Sequence, residues 1–439
     1  MSILTKCIGA AKRVKHRFQD EIRERTPVYL SPVRRIEKVA TGKRLCAMTF
    51  DDGPCNLPAN PDDFAGKPLT LVLAETLERH GAKGTFDVVG DTSANYPDQP
   101  GKHGSASWGG ISYDHYPDFG KDDQGGVVHC PELVTRLLEG GHEITSHTYS
   151  HVLFGWKPLV YGKRHYLPGL DAVTDDLKKL HILMEEKWGY TITLSRPPHY
   201  VDGIKGGFTS YDAYARMGYQ YMAASYDGAG WLPLESYEKE VDATYKHIER
   251  LLAENPDALC GQIIFQKDGY NMARRSPIAH GLEKALEILD RYGYQVVTVS
   301  ELMAHSAFLD TPPEDACAVA AGKLMVQNWC VAFRDNTLRP EATLTRGEMA
   351  MMKYGWKAVE ARIELVRSKK APFRDMKPGH PYAAAAQMAV ADGVMDAPGG
   401  RFSPDTPVTP EEAAKFLGKP CTVAPQSLNH RAFLILAAN

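Results

Sequence analysis

The feature that most constrains this chain is an alternation. From residue 45 onward, short β-rich runs trade places with amphipathic helical ones. The strand-like runs are LCAMTF (45–50), GTFDVVG (84–90), HEITS (142–146), TITLS (191–195), YQYMAAS (219–225), GQIIFQ (261–266) and QVVTVS (295–300). Between them lie TLVLAETLERH, PELVTRLLEG with Pro131 at its start, and DAVTDDLKKLHILMEEKWG, all with apolar residues at helical spacing. Gly81, Gly141, Gly189, Gly218 and Gly293 each close a helix just before a strand, as C-terminal glycine caps do. Seven strands joined through helices predict an α/β fold with a parallel sheet, either open or curled into an incomplete barrel. Both architectures put their active sites at the carboxyl ends of the strands.

Those ends carry polar groups. The first run closes in TFDDGP, where Asp51 and Asp52 stand side by side ahead of a Gly-Pro turn. A lone Asp-Asp-Gly-Pro reads as a polar turn, but three further strand ends add to it. After HEITS comes SHTYSH, with His147 and His151 four residues apart. One helical turn would bring both imidazoles to the same side. Two histidines and one carboxylate form a facial set for a catalytic metal, with positions left for water and substrate. TITLS runs into SRPPHY, where Arg196 can hold a carboxylate ionised, lower its pKa and fix its direction. YQYMAAS runs into YDGAGW, which adds Asp227 and an aromatic wall in Trp231. Taken singly, these are two surface histidines, an ion pair and a packed tryptophan; together they predict a site.

Composition narrows the partners. With 51 basic and 54 acidic residues the net charge is -3, so no electrostatic field favours nucleic acid. Eight scattered cysteines show neither zinc-module spacing nor the density of a disulfide scaffold, and read as reduced thiols. No stretch approaches a membrane span. The opening MSILTKCIGAAKRVKHRFQDEIRERT lacks the apolar core of a signal peptide, which points to the cytoplasm. Its Leu4, Ile8, Ala11, Phe18 and Ile22 recur at helical spacing and predict a helix docked on the protein's own core. A long insert over 91–130, rich in Gly, Asp, His and Tyr, reads as a lid or substrate-contacting loop.

After LDTPPED the composition changes and an internal repeat appears. LRPEATLTRGEMA (338–350) aligns with FSPDTPVTPEEAA (402–414) at a period of 64 residues. Each copy carries Thr-x-x-Glu, the capping box that starts a helix, so two related helical units predict a smaller second domain. The expected layout is an amphipathic helix and extended segment (1–38), the α/β domain (39–308), a linker (309–316), two repeats (317–425) and a tail (426–439).

In order, TFDDGP, SHTYSH, SRPP, the Asp-to-Trp stretch at 227–231 and the closing GLEKALEILDRYGYQVVTVSEL resemble the motifs of the polysaccharide deacetylase superfamily, the nodulation-deacetylase homology domain. The resemblance implies a deformed seven-stranded (β/α) barrel and a divalent metal, most often zinc. Asp52, His147 and His151 would be its ligands, Asp51 the general base and Arg196 its orienting partner. Asp227 joins the catalytic set. The turn at Pro198 would offer the following backbone N–H to an oxyanion, and Tyr200, Trp231 and Gln266 would face substrate. The implied chemistry is removal of acetyl groups from an N-acetylated sugar or polysaccharide, with a metal that lowers the pKa of water from about 15.7 towards about 7.

Two departures stand out. His199 occupies a position where the family usually has tyrosine. In IIFQKDG, Gln266 is read at the place of a histidine that protonates the leaving amine. Glutamine cannot act as an acid, so His199 is expected to replace it. The C-terminal units resemble S-layer homology repeats, with TRGE (345–348) and TPEE (409–412) at the four-residue motif; that family contacts cell-wall polymers and points to the cell envelope. Two other readings stay open: an amidohydrolase acting on a small substrate, and a catalytically weakened carbohydrate- or wall-binding protein.

Overall fold

The computed structural model describes residues 28–60, 63–91, 124–155, 166–231, 234–271, 275–305, 308–424 and 428–439. The opening amphipathic helix and most of the expected lid lie outside these residues.

The strands are β1 (Arg35–Ile36), β2 (Leu45–Asp51), β3 (Pro58–Asn60), β4 (Asp63–Pro68), β5 (Thr85–Val88), β6 (Glu143–Ser146), β7 (Leu194–Ser195), β8 (Gly203–Ile204), β9 (Phe208–Thr209), β10 (Gln220–Met222), β11 (Tyr226–Asp227), β12 (Ile263–Lys267) and β13 (Gln295–Val297). All seven anticipated runs enter one nine-stranded parallel sheet, ordered β1-β10-β7-β6-β5-β2-β12-β11, with β13 beside β2. The two-residue strands β1 and β11 complete it. The helices Leu69–Arg79, Pro131–Glu139 and Leu170–Trp188 occupy the anticipated segments. Gly189 and Gly218 cap their helices in the left-handed conformation, at φ 61° and 72°.

The sheet has to curl. In the strand order β10 and β11 are six steps apart, about 29 Å in a flat sheet. Along the chain only Ala223, Ala224 and Ser225 separate them, a reach of at most about 14 Å. This short segment switches partners as it goes. Ala223 N–H donates to Ile36 at 2.8 Å on one side, and Ser225 N–H to Ile263 at 3.1 Å on the other. At this seam the sheet curls back on itself into an incomplete barrel.

Alternation along the strands sorts the interior into two zones. On β2, Leu45, Ala47, Thr49 and Asp51 share a face. Leu45 and Ala47 join Ile36, Leu194, Met222, Ile263, Val297 and Leu302 in an apolar plug at the amino-terminal end of the barrel. Thr49 and Asp51 continue the same face into a polar zone at the carboxyl end. The opposite face of β2 carries Cys46, Met48 and Phe50, which pack outward in the main core beneath the helices. There Phe50 stacks on Phe86 with ring centroids 4.9 Å apart.

The C-terminal domain has its own core, built by the helices Ala316–Val326, Arg346–Tyr354, Ala383–Ala391, Pro410–Leu417 and His430–Ala438, while the helix Val359–Ser368 buries Ile363 in the main core. Both predicted capping boxes form, Thr345 with Glu348 and Thr409 with Glu412. The repeat reaches further back than its motif. Asp310 accepts from the N–H groups of Leu338 and Arg339 at 2.8 and 2.7 Å, and Asp375 accepts from Phe402 and Ser403 at 3.0 and 2.7 Å. Arg339 and Ser403 both sit at positive φ.

Asp310 therefore belongs to the first unit, although composition places it in a linker. The expected tail is also part of the fold. Its helix buries Phe433 and Leu434 completely, and Leu428 accepts from Leu344 N–H at 3.4 Å. A strap from residue 28 onward joins the two domains, with Leu30 N–H donating to the Tyr382 hydroxyl at 3.1 Å and Arg35 N–H to Arg334 at 2.7 Å.

Candidate active site

Asp51 ends β2 pointing into the barrel, and Arg196 follows β7 from across it. The two form a buried ion pair through Arg196 Nη1, which also donates to Thr49 Oγ1 at 3.1 Å. The guanidinium is fully buried. The next residue, Asp52, has φ 79°, which turns the chain out of the strand. Its N–H is tied to the Asp87 carbonyl at 3.2 Å. This reversal sends the two neighbouring carboxylates to different partners.

Asp52 meets both histidines. Its Oδ1 lies 3.3 Å from His147 Nε2 and 3.2 Å from His151 Nε2, and all three residues are buried. The histidines converge without the helical turn that their spacing suggests. Thr148 and His151 take positive φ instead, in an irregular turn. Buried Asp176, from the helix Leu170–Trp188, accepts from the N–H groups of Tyr149 and Ser150 at 2.9 and 3.3 Å and props that turn.

The set fits a metal ion. Donors held about 2.0–2.1 Å from a tetrahedral cation stand about 3.3 Å from one another, which is the spacing Asp52 makes with each imidazole. His147 presents Nε2 to this point. Its Nδ1 faces the Arg196 carbonyl at 3.0 Å and Asp87 Oδ2 at 2.8 Å. A proton on Nδ1 is held there, which leaves the Nε2 lone pair for a cation.

Burial and charge compete throughout the cluster. Burial pushes Asp51 up to about 6, against the pull of Arg196 and His147. Arginine alone would lower this pKa; here desolvation outweighs it, although Asp51 remains largely ionised at neutral pH. Burial draws His147 down, but Asp87, Asp52 and Asp51 outweigh it and raise the group to about 10. For His151 burial prevails and its pKa falls.

The chain matches two known families. The family described as "Polysaccharide deacetylase" matches residues 38–221, the stretch that holds every ligand candidate and the Asp51–Arg196 pair. Residues 38–221 therefore resemble the polysaccharide deacetylase family. The family described as "S-layer homology domain" matches residues 372–414.

Peptidoglycan-N-acetylglucosamine deacetylases from Listeria monocytogenes and Bacillus cereus are similar to this chain. The first is 25% identical over 66% of this chain and 46% of its own length; the second is 26% identical over 61% and 92%. This chain thus spans about half the length of the Listeria protein. Among solved structures, the chitin deacetylase of Colletotrichum lindemuthianum is 18% identical, covering 66% of this chain and 96% of that one at a TM-score of 0.40.

Within the barrel, the other anticipated residues divide. His199 lies beside the triad, with its ring centroid 5.6 Å from that of His151. Pro198 is buried in the same short turn, and half-exposed Tyr200 lies 5.6 Å from the Arg196 guanidinium and donates no bond to the triad; its hydroxyl accepts from Ala224 N–H at 3.2 Å. Asp227 is at the rim and serves its own turn, accepting from Ala229 N–H at 2.8 Å and from the Trp231 indole at 3.1 Å. Trp231 is exposed there.

Gln266 is not in the site. It pairs with Phe50 in register, so its side chain faces the helices and lies beneath Gly228 and Gly230 near Thr244 and Ile278. Lys267 pairs with Asp51 and points inward, where its ammonium bonds to Asp52 Oδ2. Three functional candidates were therefore missed: Lys267, Asp87 and Asp176. Period-two counting along IIFQK, started from a known inward residue, finds the first.

In the C-terminal domain, Arg346 of the TRGE motif is also committed internally. It ion-pairs with Glu412 of TPEE and donates to the Phe402 and Asp396 carbonyls at 2.9 and 2.5 Å.

Proposed function

We propose that this chain is a metal-dependent deacetylase that hydrolyses the acetamide of an N-acetylated sugar or polysaccharide. The observation that carries the proposal is the buried Asp52, His147 and His151 set, with its 3.2–3.3 Å spacing, next to an ionised carboxylate held by a buried arginine. Support comes from the names of the two relatives, which are peptidoglycan deacetylases.

A divalent cation on the three donors, with Zn2+ the ion of choice for two nitrogens and one oxygen, would supply Lewis acidity towards water and the acetyl carbonyl. The protein's own residues would do the rest. Asp51 accepts a proton from the attacking water, and Arg196 keeps that carboxylate charged and aimed. The backbone N–H of His199 is offered to the oxygen that gains charge. When the C–N bond breaks, the His199 imidazole gives a proton to the departing amine, and acetate is the second product. Trp231, oriented by Asp227, and Tyr200 would form the walls of the sugar site.

The C-terminal domain would contact a cell-envelope polymer through surfaces other than Arg346, whose three guanidinium nitrogens are each engaged inside the domain. Acetate release from N-acetylglucosamine oligomers, peptidoglycan and small acetamides, with and without a chelator, tests the reading. Activity on the sugars that chelation abolishes is the expected result; metal-bound protein inert towards every sugar would overturn it.

A further inference from the structure

Lys267 is the one cation that shares a carboxylate with the candidate metal ligands among the described residues. It ends β12 level with Asp51, its side chain is 8% exposed, and its ammonium bonds to Asp52 Oδ2. The other oxygen of that carboxylate, Oδ1, is the corner from which both imidazoles are 3.2–3.3 Å away. Asp52 is thus divided between an ammonium and the imidazole pair.

Charge decides what this division does. Once the His147 proton is given up, as metal binding requires, two imidazoles and one carboxylate offer a divalent cation a single negative charge, and the ammonium cancels it. With Oδ2 engaged, Asp52 serves as a one-oxygen ligand only. Ions that need many oxygens, such as calcium, lose most from that restriction, and a small tetrahedral ion loses least. Buried like charges are weakly screened, so the cost to an incoming cation is not relieved by solvent.

We infer that Lys267 is a resident counter-ion that competes with the divalent metal for Asp52, weakening metal binding and restricting it to ions satisfied by one carboxylate oxygen. The inference rests on the metal site of the proposed function, but not on its substrate.

The test is calorimetric titration of metal-free full-length protein with zinc chloride and, separately, calcium chloride. The Lys267→Met variant is expected to bind zinc at least tenfold more tightly than the parent and to gain measurable calcium binding. Lys267→Gln, which keeps a polar group for Asp52, is a second variant should methionine disturb the fold, and it should gain at least fivefold for zinc. The zinc-induced rise in melting temperature should grow in the same order. Equal or weaker zinc binding in folded variants would overturn the inference and leave the proposed function standing. No zinc binding by parent or variants would overturn both.

Discussion

Lys267 and Asp51 stand level on adjacent parallel strands, yet the ammonium of Lys267 bonds to Asp52, the next residue along. The positive φ of Asp52 brings its carboxylate back over the end of β12, while Asp51 continues straight to Arg196. Two adjacent acids that would repel each other in a plain turn are each given a cation. Buried charges persist when paired in this way, and removing one partner leaves the other uncompensated.

Replacement of Asp51 by asparagine should leave zinc affinity within about twofold of the parent and lower kcat by about 100- to 10,000-fold, the range for loss of a general base. Parallel calorimetry and acetate assays separate the two effects, and an Asp51→Asn enzyme with full turnover would remove Asp51 from the role of base.

The His199→Gln variant should likewise retain zinc. Its rate should fall by about 100-fold or more, and the alkaline limb of its pH–rate profile should change, because an amide has no proton to give. A full rate with an unaltered profile would exclude His199 as the acid.

Arg196→Met should destabilise the metal-free protein by about 3–5 kcal/mol, since Asp51 then loses its buried partner. Adding Asp51→Asn should recover part of that loss, and urea denaturation of the two single variants and the double variant measures the coupling.

Asp268 gives a pH-dependent prediction. Its carboxyl is fully buried, accepts from Thr70 Oγ1 at 2.6 Å, and is pushed up by burial to about 7. The folded protein therefore holds a proton, between an unfolded pKa of about 3.9 and a folded one near 7, that the unfolded chain has released. The stabilisation is complete below about pH 4 and is lost as the pH rises through 7. In Asp268→Asn the side chain stays neutral, so its melting temperature, compared with that of the parent, should improve from pH 5 to about pH 7 and level off above it. A constant difference across that range would contradict the assignment.

What could be read in advance follows how local each signal is. The glycine caps and capping boxes depend on a few consecutive residues, and Gly189, Gly218, Thr345 and Thr409 behave as expected. TFDDGP and the spacing of His147 and His151 also foretold the triad. The backbone that joins the histidines was not legible, because the prop for their turn, Asp176, comes from a helix more than 20 residues on. Gln266 was mistaken for a site residue because inward and outward positions on β12 depend on its register with β2, a pairing across more than 200 residues of chain. β1 and β11 are too short to leave any periodic trace.

The strap through Leu30, Ser31 and Arg35 has a consequence for anyone who trims this protein. Those three residues hydrogen-bond to Tyr382, Ala332 and Arg334, and the same strap then enters the sheet as β1 beside β10. A fragment ended near residue 308 would keep Asp51, Asp52 and both histidines but would lose the anchorage of the strand next to the seam. Two domains that are separate on a diagram of the chain are, at this strand, a single piece of joinery.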